Sequence, residues 1–488
     1  MKQQSVKKNF ILNTIRVLLS IVFPLITYPY ASRTLGTVGV GRESYVYSII
    51  NYFTIIAGFG VSSYAISEGA KLRDDRKSLN RFASEMLLIS IITTFIAYVL
   101  FFAVLFIPKF DDYRELLVLS STTILLTTMG VDWLYQILEQ YTYITVVTIA
   151  FQLAALIMMF VLVRDEGDVM WYVLDVAVST TGFGIVNFVH SRRFVTFFKG
   201  QSNYQLKRHI RPMLYLFGVT LAAVIYTNSD ISMLGWMKGD VDAGIYSTAS
   251  KLVQTAATVI RSLSIVVLPR ISYYMKDGDT DRAKGLINQT LKFIIMIVVP
   301  SVVGIILIAP EIIHFISGNN YDEFLPAVRT LKILALYLFL SPINGFIAYQ
   351  IFLPRGRQRT TFYATISGAV MNIILNAVLI PKFTYDGAAV ATLISEATVM
   401  AVCCVSGRSL IPFRECLGSI WRYLLATVPM MVICIGLRQL EWSGYLSFML
   451  VMVVLAVISY FVMLLLLGDD IIKHEVSNII GKLPGRRS

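Results

Sequence analysis

Between Asn9 and Asp75 the chain stays apolar for long enough to cross a lipid bilayer twice, then breaks into the charged run Glu68-Gly-Ala-Lys-Leu-Arg-Asp-Asp-Arg-Lys77. A hydrocarbon core about 30 Å thick takes roughly 20 residues of helix to cross. The stretch supplies two such segments, 10–35 and 42–67, joined by the glycine-bearing turn Leu35-Gly-Thr-Val-Gly-Val-Gly41. Lipid offers a backbone no hydrogen bonds, so each segment must be a helix.

The rest of the chain repeats this pattern. Of its 488 residues, 56% are hydrophobic and 15% charged, too little polar surface for a soluble chain of this size. The apolar runs predict fourteen crossings, near 10–35, 42–67, 81–107, 114–138, 140–163, 169–190, 211–236, 242–268, 286–309, 325–353, 359–380, 386–407, 419–437 and 444–467. With both termini inside, the inner segments hold 28 Lys and Arg and the outer loops 8, the asymmetry of the positive-inside rule. The net charge of +12 therefore reads as topology in a lipid bilayer, with no nucleic-acid footprint. Asn13 and Arg16 interrupt the first apolar run and no small-x-small site follows it, so it reads as an uncleaved helix.

An all-α polytopic architecture follows, in three parts. Residues 1–200 hold crossings one to six, 201–410 hold seven to twelve, and 411–488 hold the last two crossings and a tail. Pro212 opens the seventh helix, where its missing N–H costs nothing. Leu35-Gly36 followed by Gly41 and Tyr45 recurs as Leu234-Gly235 followed by Gly244 and Tyr246, six crossings later. An even number of crossings preserves orientation, so the two lobes are expected to be related by an axis along the membrane normal. Pro24, Pro29, Pro300, Pro342 and Pro429 fall inside crossings and are expected to kink or break them.

Charges inside the crossings carry the functional signal. Asn9, Asn13, Arg16, Ser20, Pro24, Thr27 and Ala31 recur at steps of three and four, on one face of the first helix. A charge at mid-membrane costs about 2.5–3.5 kcal/mol on insertion scales, so Arg16 faces a bundle interior or water, or snorkels to the headgroups. On the eighth crossing Ser247, Lys251, Gln254, Thr258 and Arg261 form a polar stripe with no carboxylate in register. That stripe reads as lining a cavity between the lobes, the alternative being ion pairs to a partner helix. Arg33 and Arg42 flank the first outer turn, either as further cavity cations or as interfacial anchors, and Glu43 is placed to pair with Arg42. Arg holds a phosphate through forked hydrogen bonds and Lys holds it as a point charge, so a cationic cavity of this kind suits a diphosphate.

Asp230 and Glu396 are acids within crossings and are the candidates for H+ or Na+ coupling; Asp230, two turns from the outer end, is equally placed to be solvated. Arg329 and Lys332 read as interfacial, and Asp132 and Glu139 as structural or gating groups beside an inner turn. Cys403, Cys404, Cys416 and Cys434 lack metal spacing and read as small apolar residues, so no metal and no cofactor is expected.

The segment Tyr28-Pro-Tyr-Ala-Ser-Arg-Thr-Leu-Gly36, then Gly41, Ser44 and Tyr47, then Gly58-Phe59-Gly60, then residues 68–75, resembles the N-terminal signature of the polysaccharide repeat-unit flippases. These are the Wzx-like members of the multidrug/oligosaccharidyl-lipid/polysaccharide exporter superfamily. Asp132-Trp-Leu-Tyr-Gln136, Asn228-Ser-Asp230, Gly244-Ile-Tyr-Ser-Thr-Ala249 with Lys251, Leu353-Pro-Arg-Gly356 and Gly387-Ala-Ala389 with Glu396 extend the resemblance over about residues 10–410. It implies the MATE-like fold of that superfamily: two six-helix lobes related by a pseudo-two-fold axis, plus two C-terminal helices. It also implies a bacterial cytoplasmic-membrane flippase that moves undecaprenyl-diphosphate-linked oligosaccharide from inner to outer leaflet for capsule, O-antigen or exopolysaccharide assembly. A polysaccharide polymerase and chain-length machinery are its implied partners, and Arg16, Lys251 and Arg261 its implied diphosphate ligands.

Other readings are open. A lipid II-type or teichoic-acid precursor flippase shares the charge logic, whereas a MATE-like drug/cation antiporter is expected to place acids in its cavity. A membrane glycosyltransferase or polymerase needs a sizeable outer loop carrying catalytic residues. The loops here are short, and there is no G-x-S-x-G, no P-loop and no metal-ligand cluster among His190, His209, His314 and His474, so the chain reads as a transporter rather than an enzyme.

Overall fold

The structure is a computed structural model that describes residues 6–199, 204–265, 267–408, 410, 413–440, 445–469 and 471–473. Eleven helical stretches among them are long and apolar enough to cross a membrane. Two of these, Val22–Leu72 and Gln358–Ser406, are long enough for two crossings and break at Gly36 and at Thr384. The helix Asp240–Ile265, which carries the polar stripe, falls at the eighth expected crossing and is not among the eleven. The fourteen expected crossings are thereby accounted for, and the protein is an all-α multi-pass membrane protein.

The chain divides into two compact units, Met1–Gly244 and Ile245–Ser488, a different partition from the expected 1–200, 201–410 and 411–488. In the first unit, α1 (Val6–Gly58) breaks once, at Gly36 (φ 66°, ψ −172°). Only glycine adopts that conformation without strain, so the chain reverses at a single residue, where the sequence predicts a turn over 35–41. Pro24 and Pro29 leave the helical dihedrals of α1 intact, contrary to expectation. A second break at Phe59 and Gly60 (φ 41° and 71°) separates α1 from α2 (Val61–Gly69).

Asp75 caps α3 (Arg76–Leu105) by accepting from the Lys77 N–H at 3.0 Å and from the Ser78 hydroxyl. The second limb of α1 and α3 lie antiparallel. Phe53 meets Phe101 edge-on at 5.6 Å, and the Thr93 hydroxyl donates to the Ala57 carbonyl at 2.6 Å. There follow α4 (Arg114–Gly130), a left-handed break at Val131 (φ 40°), α5 (Asp132–Ile137), α6 (Tyr141–Leu162), α7 (Val169–Thr181) and α8 (Gly184–Ser191).

The linker to α9 (Lys207–Met237) is pinned to α3. Glu85, fully buried, accepts from the Gln205 N–H at 2.8 Å and from Arg81, Arg208 and His209 at 3.2, 3.0 and 2.9 Å. Beyond the linker, α9 packs along α1. Tyr52 hydrogen-bonds Ser232 at 2.9 Å, and Phe59 packs on Phe217 with ring centroids 5.1 Å apart. This packing places α9 in the first unit rather than at the head of the second.

The second unit takes in most of α10 (Asp240–Ile265), then α11 (Leu268–Lys276), α12 (Thr280–Ser317), α13 (Tyr321–Phe324), α14 (Ala327–Ala335) and α15 (Tyr337–Phe346). α12 departs from helical dihedrals at Ile308, two residues before Pro310, rather than at Pro300. α15 carries Pro342 and runs into a π-helical turn, Ile347–Phe352. α16 (Gln358–Ser406) reverses at Thr384 (φ 50°), and Gly387 folds back onto the Leu379 carbonyl, so close that a methyl group there would fall 2.5 Å from its oxygen. Finally α17 (Phe413–Leu437) and α18 (Tyr445–Leu466) are tied to α12. Arg438 grips Glu311 at 2.7 Å, and the Tyr460 hydroxyl donates to the Met296 carbonyl at 2.7 Å.

Candidate functional site

The sequence repeat is real but sits at a different register. Gly36 and Gly239 both have positive φ (66° and 101°), and each starts a helix that carries another glycine, Gly41 or Gly244, at the same spacing. Gly235, the expected counterpart of Gly36, is instead within α9, where its missing side chain admits the Tyr45 ring. The two glycine turns meet. Asp240, which follows Gly239, accepts from Arg42 Nε at 2.9 Å and from the Tyr113 hydroxyl at 2.5 Å. Arg42 thus pairs with Asp240 and not with its neighbour Glu43, which is buried and accepts from the Ser44 hydroxyl at 3.2 Å. Arg33 is exposed.

At the opposite end of the first unit, Arg16 Nη2 pairs with Asp132 Oδ2 at 3.1 Å. Asp132 Oδ1 also accepts from Asn187 Nδ2 at 2.8 Å, and the Asn187 carbonyl accepts from the Tyr135 hydroxyl at 2.6 Å. Arg16 therefore has a counter-ion in Asp132. The expected stripe on α1 does not share one environment. Pro24 is exposed, Thr27 and Ala31 are buried, and the side chains of Asn9, Asn13 and Ser20 lie outside the described residues. Glu139, expected to be a structural or gating group, pairs with Arg73 at 2.5 Å.

In the second unit α10, α15 and α16 bring two of the predicted residues into one polar cluster. Arg261 donates to the hydroxyls of Thr258 at 3.1 Å and Ser341 at 3.4 Å, and Tyr337 lies within electrostatic reach of both Arg261 and Glu396. Gly345 leaves room for the guanidinium stem, since a methyl there would touch Arg261 Cδ at 3.2 Å. Glu396, buried, accepts from Asn344 Nδ2 at 3.2 Å. Among the described residues no carboxylate lies within ion-pair distance of Arg261, in contrast to Arg16 and Arg42. Along the same helix Lys251 is half-buried and Gln254 exposed.

Asp230 is buried, which removes the solvated reading of it. Arg329 pairs with Asp386 at 3.3 Å and is largely exposed, as an interfacial residue would be. Among the described residues no three His, Cys, Asp or Glu side chains converge as a metal site. The side chain of Cys416, and His474, lie outside the described residues. Sequence reasoning missed Tyr337, Asn344 and Asp175. The first two are neutral groups with no periodic signal, and Asp175 is a single acid in an apolar run.

Eleven apolar stretches of membrane-crossing length among the described residues, with charges clustered inside the helices, define a polytopic membrane protein. The fold is that of the lipid II flippase MurJ in an inward closed conformation, with a TM-score of 0.74 at 18% identity over 95% of this chain and 100% of that one. An inward-facing multidrug-resistance MATE family transporter of the MOP superfamily matches with a TM-score of 0.56 at 14% identity, over 82% of this chain and 97% of its own. The polysaccharide biosynthesis protein family matches residues 6–275, and the chain belongs to that family. The MatE family matches residues 216–378. A putative O-antigen transporter of Escherichia coli (strain K12) is 20% identical over 389 residues, 78% of this chain and 91% of its own length.

Proposed function

We propose that the protein is a flippase that moves undecaprenyl-diphosphate-linked oligosaccharide repeat units from the inner to the outer leaflet of a bacterial cytoplasmic membrane. Its product feeds surface polysaccharide assembly, and it works by alternating access with both termini on the cytoplasmic side. Likeness to the O-antigen transporter supports the glycan class. The observation that carries the reading is Arg261, a cation within a membrane span whose hydrogen-bond partners are hydroxyls. Such a guanidinium is available to a phosphate without first breaking an ion pair, at the cost of two weak hydroxyl contacts. Lys251, ten residues earlier on the stripe, adds a second positive charge, and Gln254 a neutral donor suited to sugar.

Complementation in a strain that lacks its own repeat-unit flippase tests this. Wild type is expected to restore surface polysaccharide, and Arg261→Ala and Lys251→Ala to fail while still inserting. Restoration by both variants would leave the transport reading standing and remove these residues from it. Failure of wild type across a range of repeat units, with rescue of a strain lacking its lipid II flippase, would transfer the protein to peptidoglycan precursors.

A further inference from the structure

The turn between α15 and α16 holds three cations in five residues, Arg355-Gly-Arg-Gln-Arg359, and no acid occurs anywhere from Phe324 to Tyr385. It closes at Gly356 (φ 69°), where the Gly356 N–H donates to the Leu353 carbonyl and the Arg357 N–H to that of Phe352, each at 3.0 Å. Arg355 Nη1 donates to the Ile351 carbonyl at 2.8 Å, and Arg357 Nη1 to the Ser406 carbonyl at 3.1 Å. Elsewhere in the second unit, Asp279, Asp386 and Glu311 are taken by Arg282, Arg329 and Arg438. Among the described residues no carboxylate comes within ion-pair distance of Arg355 or Arg357. Yet the two guanidiniums are within electrostatic reach of one another. Like charges so placed repel, and an anion bound to both removes the repulsion. The positive-inside rule accounts for cations at this end of the helices. It does not account for two guanidiniums anchored on backbone carbonyls within reach of each other, each with N–H donors to spare.

This turn lies where a membrane surface is expected. The span Ala327–Arg355 finishes there, and α11 packs against both the π-helical turn and Leu353–Arg355. On α11, Ile271 is buried, whereas Arg270, Tyr273 and Lys276 are exposed, the pattern of a helix lying among lipid headgroups. The same stretch of chain leads to Arg261. Gln350 Nε2, on the π-helical turn, donates to the Ser264 carbonyl at 3.0 Å, and Gly345 lies against the Arg261 stem. Gly345 and Arg355 are therefore joined by roughly 15 Å of helix.

We propose that Arg355 and Arg357 form a second phosphate-binding station, which takes the phosphate headgroup of a lipid at the cytoplasmic surface. Two forked donors fit a diphosphate or the phosphodiester of an anionic phospholipid. Solvent screens the exposed Arg357, so this station is weaker than Arg261. The station rests on the flippase reading for its purpose, as the place where a lipid-linked diphosphate docks before it reaches Arg261. Its chemistry is measurable without transport.

The test is lipid binding to the purified protein by native mass spectrometry in the Arg261→Ala background, which removes the stronger site. The probes are undecaprenyl diphosphate, phosphatidylglycerol and undecaprenol. Arg261→Ala is expected to keep a preference for a phosphate-bearing lipid over undecaprenol. Adding Arg355→Gln and Arg357→Gln is expected to lower that binding about tenfold, with partial recovery in the two lysine variants. Arg357→Gln alone, at an exposed position, is the readout should the variant at Arg355 not insert. Preference for undecaprenyl diphosphate assigns the station to the substrate, and preference for phosphatidylglycerol assigns it to a resident phospholipid; either supports a lipid-phosphate site. Equal binding with and without the two arginines, or no preference over undecaprenol, overturns the proposal. Wild-type affinity in Arg261→Ala, with loss only when Arg355 and Arg357 are replaced, would keep this station and remove Arg261 from the transport reading.

Discussion

Gly41 and Gly244 lie face to face, each against the backbone that starts the other's helix. A methyl group on Gly41 would fall 1.9 Å from the Asp240 carbonyl oxygen, and one on Gly244 would fall 2.1 Å from that of Thr37. Thr37 and Asp240 each follow a positive-φ glycine, so the contact has local two-fold symmetry. Any side chain here forces two backbones apart, and overpacking of this kind costs about 1–3 kcal/mol. Gly41→Ala and Gly244→Ala are each expected to lower the unfolding temperature in detergent. Gly218→Ala, in α9 with open space around it, is the control and is expected to leave that temperature unchanged or slightly raised, since alanine favours helix by about 0.5–1 kcal/mol.

Asp240 serves two donors, so its loss is asymmetric with theirs. Arg42 is 40% exposed on its side chain, and its pairing is worth about 1 kcal/mol or less after solvent screening. Asp240→Ala strands both the guanidinium and the Tyr113 hydroxyl, and is expected to destabilise more than Arg42→Ala or Tyr113→Phe. A double-mutant cycle on chemical unfolding midpoints checks this, with a coupling between Arg42 and Asp240 smaller than the full cost of Asp240→Ala.

Glu85 holds the linker that leads to α9. Hydrogen bonds to a charged group contribute about 1.5–3 kcal/mol each, so Glu85→Ala is expected to raise the open population of residues 192–199 and 204–208 at least about tenfold. Limited trypsin digestion at Arg192, Arg193, Lys199, Lys207 and Arg208 reads it out. Cleavage faster in the variant, with no change at loops elsewhere, is the expected pattern.

The Asp75 cap is exposed and titrates. The Ser78 hydroxyl, followed by the Lys77 N–H, holds its carboxyl below the ordinary carboxylate range. A lowered folded-state value means that the cap's contribution is complete above the ordinary carboxylate range and is lost as pH falls through the lowered value. Amide exchange at Lys77 and Ser78, corrected for its intrinsic pH dependence, is expected to lose protection only in that acid window. Asp75→Asn should flatten the profile.

The crossings were legible because lipid enforces a length and a composition at once. Reversal points were less so. Leu35-Gly-Thr-Val-Gly-Val-Gly41 contains three glycines, and only backbone geometry shows that Gly36 turns the chain while Gly41 makes room for Asp240. The repeat was misregistered for the same reason: Leu234-Gly235 matches Leu35-Gly36 in letters, but Gly239 matches Gly36 in conformation. Cations were legible as charges in apolar runs, whereas their partners were not. Asp132 is 116 residues from Arg16 and Asp240 is 198 from Arg42, and no periodicity links such positions. Arg261 and Glu396 were chosen from different helices for different reasons, and the structure brings them together around Tyr337.

Arg261 is proposed above as an anion-binding group for a lipid-linked diphosphate. Binding of undecaprenyl diphosphate and of undecaprenol to the purified protein, followed by native mass spectrometry for wild type and Arg261→Ala, tests it most directly. The account predicts that wild type prefers the diphosphate over the alcohol. It further predicts that Arg261→Ala loses roughly tenfold or more in diphosphate affinity, as expected for a charge-assisted hydrogen bond of about 1.5–3 kcal/mol. Equal diphosphate affinity in wild type and Arg261→Ala, or no preference for the diphosphate in wild type, would contradict it.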